Sequence, residues 1–97
     1  MSVKDKLGTR RRLDWIRIGF ILEFKGNLSL NQLTDTYNEM FKITKSNREI
    51  SRIIRCYQRH GFSYIQDKSI KIYKFNGSLP EIHRRTINRW EEKIQSL

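Results

Sequence analysis

Ninety-seven residues carry twenty Lys+Arg against ten Asp+Glu, a formal net charge of +10, with 37% hydrophobic residues. That is enough chain for one domain with one modest core, and the charge balance favours a polyanionic partner. Cys56 is the only cysteine, which excludes an internal disulfide and points to a reducing, intracellular setting, either cytoplasmic or nucleoid/nuclear.

The opening stretch, "MSVKDKLGTRRR", carries +4 and almost nothing that could pack, so residues 1–12 read as a flexible basic arm. Arg10, Arg11 and Arg12 could form a minor-groove arm, add diffuse charge or serve as a nuclear import signal. From Leu13 to Lys25 the apolar residues keep a helical period. Leu13, Ile16, Phe20, Ile21 and Phe24 share one side, and Trp15, Ile18 and Leu22 occupy another. Asp14, Arg17 and Glu23 interrupt this run and no small-residue cleavage site follows, so it is neither a signal peptide nor long enough to span a bilayer. Gly26-Asn27 supplies the stop.

After a short extended piece at Leu28, Ser29 with Gln32 fits a capping box. Leu30, Leu33, Tyr37, Met40 and Phe41 then form one stripe of a second helix. The connection "KIT" leads to Ser46 and Glu49, a second capping-box pair that opens a third helix, read to run over 47–59 and to close at His60-Gly61. Here Ile50, Ile53, Ile54 and Tyr57 face one way, and Arg48, Arg52, Arg55 and Arg59 form a stripe on the other. Glu49 is the only acid between Ser46 and Phe62. A merely solvated face normally mixes signs at i,i+4; this one does not.

"FSYIQDKSIKIYKF" is β-branched and aromatic, and Ile70 to Lys74 alternates with period two, so a hairpin is expected with Asp67-Lys68 at its polar tip. Asn76-Gly77 breaks the strand. Ser78 with Glu81, and Pro80 in the first turn, predict a last helix from Leu79 to about Ser96. Its stripe is Leu79, Ile82, Ile87, Trp90, Ile94 and Leu97. Arg84, Arg85 and Arg89 lie among Glu81, Glu91 and Glu92 and read as a mixed solvated surface. Three segments result: 1–12, a folded unit 13–77 and a C-terminal helix 78–97.

The order of helix, short extended piece, helix, tight turn, basic helix, hairpin resembles the winged helix-turn-helix superfamily over about residues 13–77, with an added C-terminal helix. The fold class expected is therefore α+β, mostly helical. The resemblance implies that the third helix enters the major groove of double-stranded DNA and that the hairpin, or wing, touches the flanking backbone. It assigns base reading to Asn47, Arg48, Ser51 and Arg52, and phosphate contacts to Arg55, Arg59, Lys45, Lys68 and Lys71. The function expected is a sequence-specific duplex-DNA-binding protein, a small transcriptional regulator. An RNA-binding or ribonucleoprotein module and a winged-helix protein–protein adaptor are the alternatives. Trp15, Ile18 and Leu22 on the first helix, with Trp90, Ile94 and Leu97 on the last, predict the interface of a homodimer. The alternative is packing of the last helix on the first within one chain.

No enzyme is expected. His60 and His83 have no metal-ligand spacing with Cys56 or the nearby acids. Glu23-Phe24-Lys25 matches half of a nuclease motif but closes an apolar helix, and no phosphate loop or nucleophile motif appears. No cofactor, metal, membrane or small-molecule ligand is called for. His60 reads as a helix C-terminal cation, and Cys56 as a small packing residue.

Overall fold

The computed structural model describes the backbone of residues 3–96 and the side chains of residues 13–96. Among these residues are four α-helices, α1 (Val3–Lys25), α2 (Leu30–Phe41), α3 (Asn47–Cys56) and α4 (Arg84–Gln95), and three strands, β1 (Leu28–Ser29), β2 (Phe62–Asp67) and β3 (Ile70–Phe75). The strands form one antiparallel sheet in the order β1-β3-β2. The α+β class, mostly helical, is as the sequence predicts.

α1 is the central element. Trp15, Ile16, Ile18, Phe20, Ile21 and Leu22 are all buried, so both apolar sides are covered by the rest of the chain. A helix apolar on two sides must be covered on two sides. α2 and α3 contribute Leu33, Tyr37, Met40, Ile50 and Ile54 to the same cluster, the hairpin contributes Phe62 and Tyr73, and α4 adds Ile87, Trp90 and Ile94. The Trp90 ring lies 5.7 Å from Phe20 and 5.2 Å from Phe41. Trp15, Ile18, Leu22, Trp90 and Ile94, expected as a dimer seam, are therefore intrachain core and offer no surface to a second copy. Leu97, the sixth residue of that seam, lies outside the described residues. The structure takes the other option, with α4 packed against its own chain.

The local stops behave as their chemistry dictates. Gly26 (φ +90) ends α1, its amide donating to the Leu22 carbonyl at 2.9 Å. Ser29 and Ser46 each form both arms of a capping box, with Gln32 and Glu49 respectively. Three boundaries differ from expectation. The backbone of α1 is helical from Val3 and not from Leu13, so residues 3–12 extend this helix where a separate arm was expected. Lys, Leu and Arg propagate a helix well, and extending a formed helix needs no new nucleus. The side chains of Arg10, Arg11 and Arg12, and any groove role for them, lie outside the described residues.

The second difference is the end of the arginine helix. α3 stops at Cys56, Tyr57 leaves helical geometry, and Gln58–His60 form a 3-10 turn. The turn allows the His60 ring to stack on Trp15 at 4.2 Å, tying it to the core side; Arg59 consequently sits beyond the α-helical stripe. Cys56 is exposed and is not a packing residue.

The third is α4, which begins at Arg84 after a 3-10 turn at Glu81–His83; the Ser78/Glu81 box does not form. Pro80 is held extended (φ −61, ψ 131), while Leu79 lies against α1 at Gly19, so the chain is still crossing the core surface where a helix was expected to start. Ile82 consequently points outward at 88% exposure, and Phe24, assigned to the core face of α1, is also exposed. Among the described residues no helix is long and apolar enough to cross a membrane.

Candidate nucleic-acid interface

The surface that carries the arginines is built by α3 and the hairpin, held on α1 and α2. The connection between α2 and α3 contains no glycine, yet it turns tightly. Lys42 takes the left-handed conformation (φ 53), and the Asn38 side chain clamps Lys45 from both sides. Its Nδ2 donates to the Lys45 carbonyl at 2.9 Å and its Oδ1 accepts from the Lys45 amide at 2.8 Å. One amide side chain thus satisfies two backbone groups that a turn would otherwise leave open.

Beneath this turn lies a polar network. The Tyr37 hydroxyl donates to Asp14 Oδ1 at 2.6 Å, and Arg17 Nη1 donates to the Tyr37 oxygen at 3.4 Å. Burial, and then the bond to Asp14, push the Tyr37 hydroxyl well above its ordinary range, so it stays a neutral donor. Lys45 Nζ lies 3.6 Å from Asp14 Oδ2 and 3.9 Å from Glu49 Oε2. Lys45 was expected to meet DNA phosphate. Its ammonium is largely buried as a counter-ion that joins the start of α3 to α1.

Its neighbours remain on the surface. Asn47, Arg48, Arg52 and Arg55 are exposed along α3, with Arg59 on the following turn. Ser51 is half-buried in the groove between α3 and the hairpin. Among the described residues, none of the four arginines has a carboxylate partner. Glu49, the one acid nearby, is occupied by the Ser46 cap and by Lys45. Unpaired guanidinium groups on a rigid helix are forks ready for bidentate acceptors. By contrast, Arg84 on the α4 side is held by Glu81 at 3.1 Å, as a mixed solvated surface would be.

The Asn47 amide donates to the side chain of Asn31, an exposed residue in the first turn of α2. Asn31 was not singled out in the sequence, because its partner lies sixteen residues away and nothing local marks it. The two amides orient each other and stand at the N-terminal end of α3.

The hairpin completes the surface. Asp67 pairs with Ile70, so the two-residue tip is Lys68-Ser69, with Lys68 left-handed (φ 60). The tip is thus one residue further on than the expected Asp67-Lys68. Lys68 and Lys71 are both exposed. Phe62, Tyr64 and Gln66 on β2 face the same way as Phe75, Tyr73 and Lys71 on β3. Between this face and α3 runs a groove of about 240 Å³, whose wall includes Ser51, Arg55, Gln58, Tyr64 and Lys71. Tyr64 and Gln58 are further residues that sequence reading passed over. The period-two pattern of the hairpin would have put Tyr64 beside Tyr73 had the register been known.

Among the described residues no group of His, Cys, Asp or Glu side chains is arranged to hold a metal ion. Comparison with family models, curated proteins and solved structures found no match. The reading of this surface therefore rests on its own chemistry.

Proposed function

We propose that this chain is a winged helix-turn-helix protein that binds duplex DNA sequence-specifically, with α3 as the reading helix and the β2–β3 hairpin as the wing, in the manner of a small transcriptional regulator. The observation that carries the reading is the row of exposed arginines on α3 without carboxylate partners, flanked by Lys68 and Lys71 on the hairpin. The element order and the β1-β3-β2 sheet support the winged arrangement. An exposed helix roughly 10–12 Å across suits a major groove about 12 Å wide, and α3 is about 15 Å long at 1.5 Å per residue.

Within this reading the jobs divide along the helix. Asn47, Arg48, Ser51 and Arg52 occupy the first half of α3, the end that lies deepest in a groove, and reach base edges. Arg55 stands where the helix rises away, and Arg59 lies past the last α-helical turn. Both meet phosphates, as do Lys68 and Lys71 at the wing. Selection of bound sequences from a random duplex library tests the proposal directly. A recovered consensus several base pairs long supports it, whereas equal recovery of all sequences at low salt removes sequence reading and leaves a non-specific cationic face.

A further inference from the structure

The groove between α3 and the hairpin has a composition that duplex phosphate alone does not need. Tyr64 is 50% exposed and its ring lies 5.9 Å from that of Tyr73, while Lys71 Nζ stands 4.8 Å over the Tyr64 ring. Arg55 and Gln58 face them from the other wall. A half-exposed tyrosine contributes little to the core, and a volume of about 240 Å³ is smaller than the sites that enclose drug-sized ligands, commonly some 300–1,000 Å³. It suits one planar ring.

We infer that this groove is a site for a single unpaired nucleobase, stacked on Tyr64 with its phosphate between Arg55 and Lys71, so that the protein prefers a duplex end or junction carrying a single-stranded extension over a blunt duplex. The inference rests on the duplex reading above and adds a second ligand element to it. In a duplex both faces of a base are covered by its neighbours, so only an unpaired base can offer a face to a tyrosine ring. Base–aromatic stacking is tolerant of base identity and commonly dominates single-strand binding. In the free protein the Lys71 ammonium occupies the ring face. An entering base takes that place, and the ammonium, on its flexible four-carbon stem, moves to the phosphate of the same nucleotide. Ser51 and Gln58 supply hydrogen-bonding groups at the rim without fixing which base enters.

The test is fluorescence anisotropy at fixed salt on three probes sharing one duplex: blunt, with a three-nucleotide single-stranded extension, and with the same extension made abasic. Wild type is expected to bind the extended probe about tenfold more tightly than the blunt one, with the abasic extension close to blunt. Tyr64→Ala removes the difference and Tyr64→Phe keeps it, while both melt near the wild-type temperature. If wild type binds blunt and extended probes alike, or if the abasic extension does as well as the natural one, the inference is overturned and the duplex reading stands. A preference that survives Tyr64→Ala also overturns it. Binding to none of the probes defeats both readings together.

Discussion

The four arginines of the α3 surface differ in what their loss should do, because they differ in place and not in chemistry. Arg48→Ala or Arg52→Ala is expected to cost about 1–3 kcal/mol of duplex binding and to relax preference at one base position. Arg59→Ala should weaken binding to all sequences alike and flatten the salt dependence by about one unit in log–log slope. Anisotropy titrations across a salt series distinguish the two outcomes. Thermal melting should barely move in any of the three variants, since none of these side chains has an intramolecular partner among the described residues. Tyr37 behaves oppositely. Its hydroxyl ionises near 10.0 in the unfolded chain and well above that when folded. Below pH 10 both states hold the proton and its contribution to stability is complete. Above pH 10 only the unfolded state releases it, so stability falls as pH rises toward the folded value, at up to about 1.4 kcal/mol per pH unit. Urea unfolding of wild type and Tyr37→Phe at pH 8 and pH 11 should show the alkaline loss in wild type and a smaller one in the variant.

At the level of elements, the molecule depends on its connections. The Asn38 clamp sets the angle between α2 and α3, so Asn38→Ala should cost about 1–3 kcal/mol by leaving the Lys45 backbone groups unpaired, and should weaken duplex binding as well. Denaturant melts with parallel anisotropy would register both. The two ends of the hairpin are also fixed. The Asn76 amide donates to the Gly61 carbonyl at 2.9 Å, and a Cβ on Gly77 would fall on the His60 carbonyl oxygen. Gly77→Ala is therefore expected to destabilise by about 2 kcal/mol or more, because the clash is with backbone and cannot be relieved by a rotamer change. Much of this was legible in advance. Gly61 after a basic residue announced a stop, and both working capping boxes were readable as S-x-x-Q and S-x-x-E. What could not be read was anything fixed by distant contact. The Ser78-x-x-Glu81 string has the same letters as the working Ser46-x-x-Glu49 box, and fails where Leu79 is held against Gly19. Lys45 looked like one more surface cation because Asp14, its partner, lies thirty-one residues earlier.

At the scale of the whole molecule, one misjudged quantity explains the expected dimer seam. Counting apolar faces on α1 and α4 separately leaves a surplus, but Trp90 of α4 lands on Phe20 and Phe41, and Trp15 is covered by His60 and the hairpin residues Phe62 and Phe75. Trp90→Ala is accordingly expected to lower stability by about 3–5 kcal/mol, with a melting shift that does not depend on protein concentration. Differential scanning calorimetry at two concentrations tenfold apart gives the answer; a shift that shrinks on concentrating the protein would restore the intermolecular reading. Charge is segregated on the same scale: the four arginines of α3 and the turn after it have a single acid, Glu49, among them, while Glu81, Glu91 and Glu92 share the α4 region with Arg84, Arg85 and Arg89. The net +10 of the sequence therefore understates how cationic one side is.

The stacking of Trp15 on His60 has a practical side. The chain has two tryptophans, Trp15 and Trp90, and Trp15 is in ring contact with the segment that carries Arg59. An indole's emission responds to what lies against its face, so the fold contains a built-in optical probe beneath the turn that follows α3. A conservative Trp90→Phe change would leave Trp15 as the sole indole, which excitation beyond the tyrosine absorption band addresses alone. A ligand that moves the turn carrying Arg59, and with it the His60 ring over Trp15, would be read in that fluorescence, with no dye attached and no need to know beforehand what the ligand is.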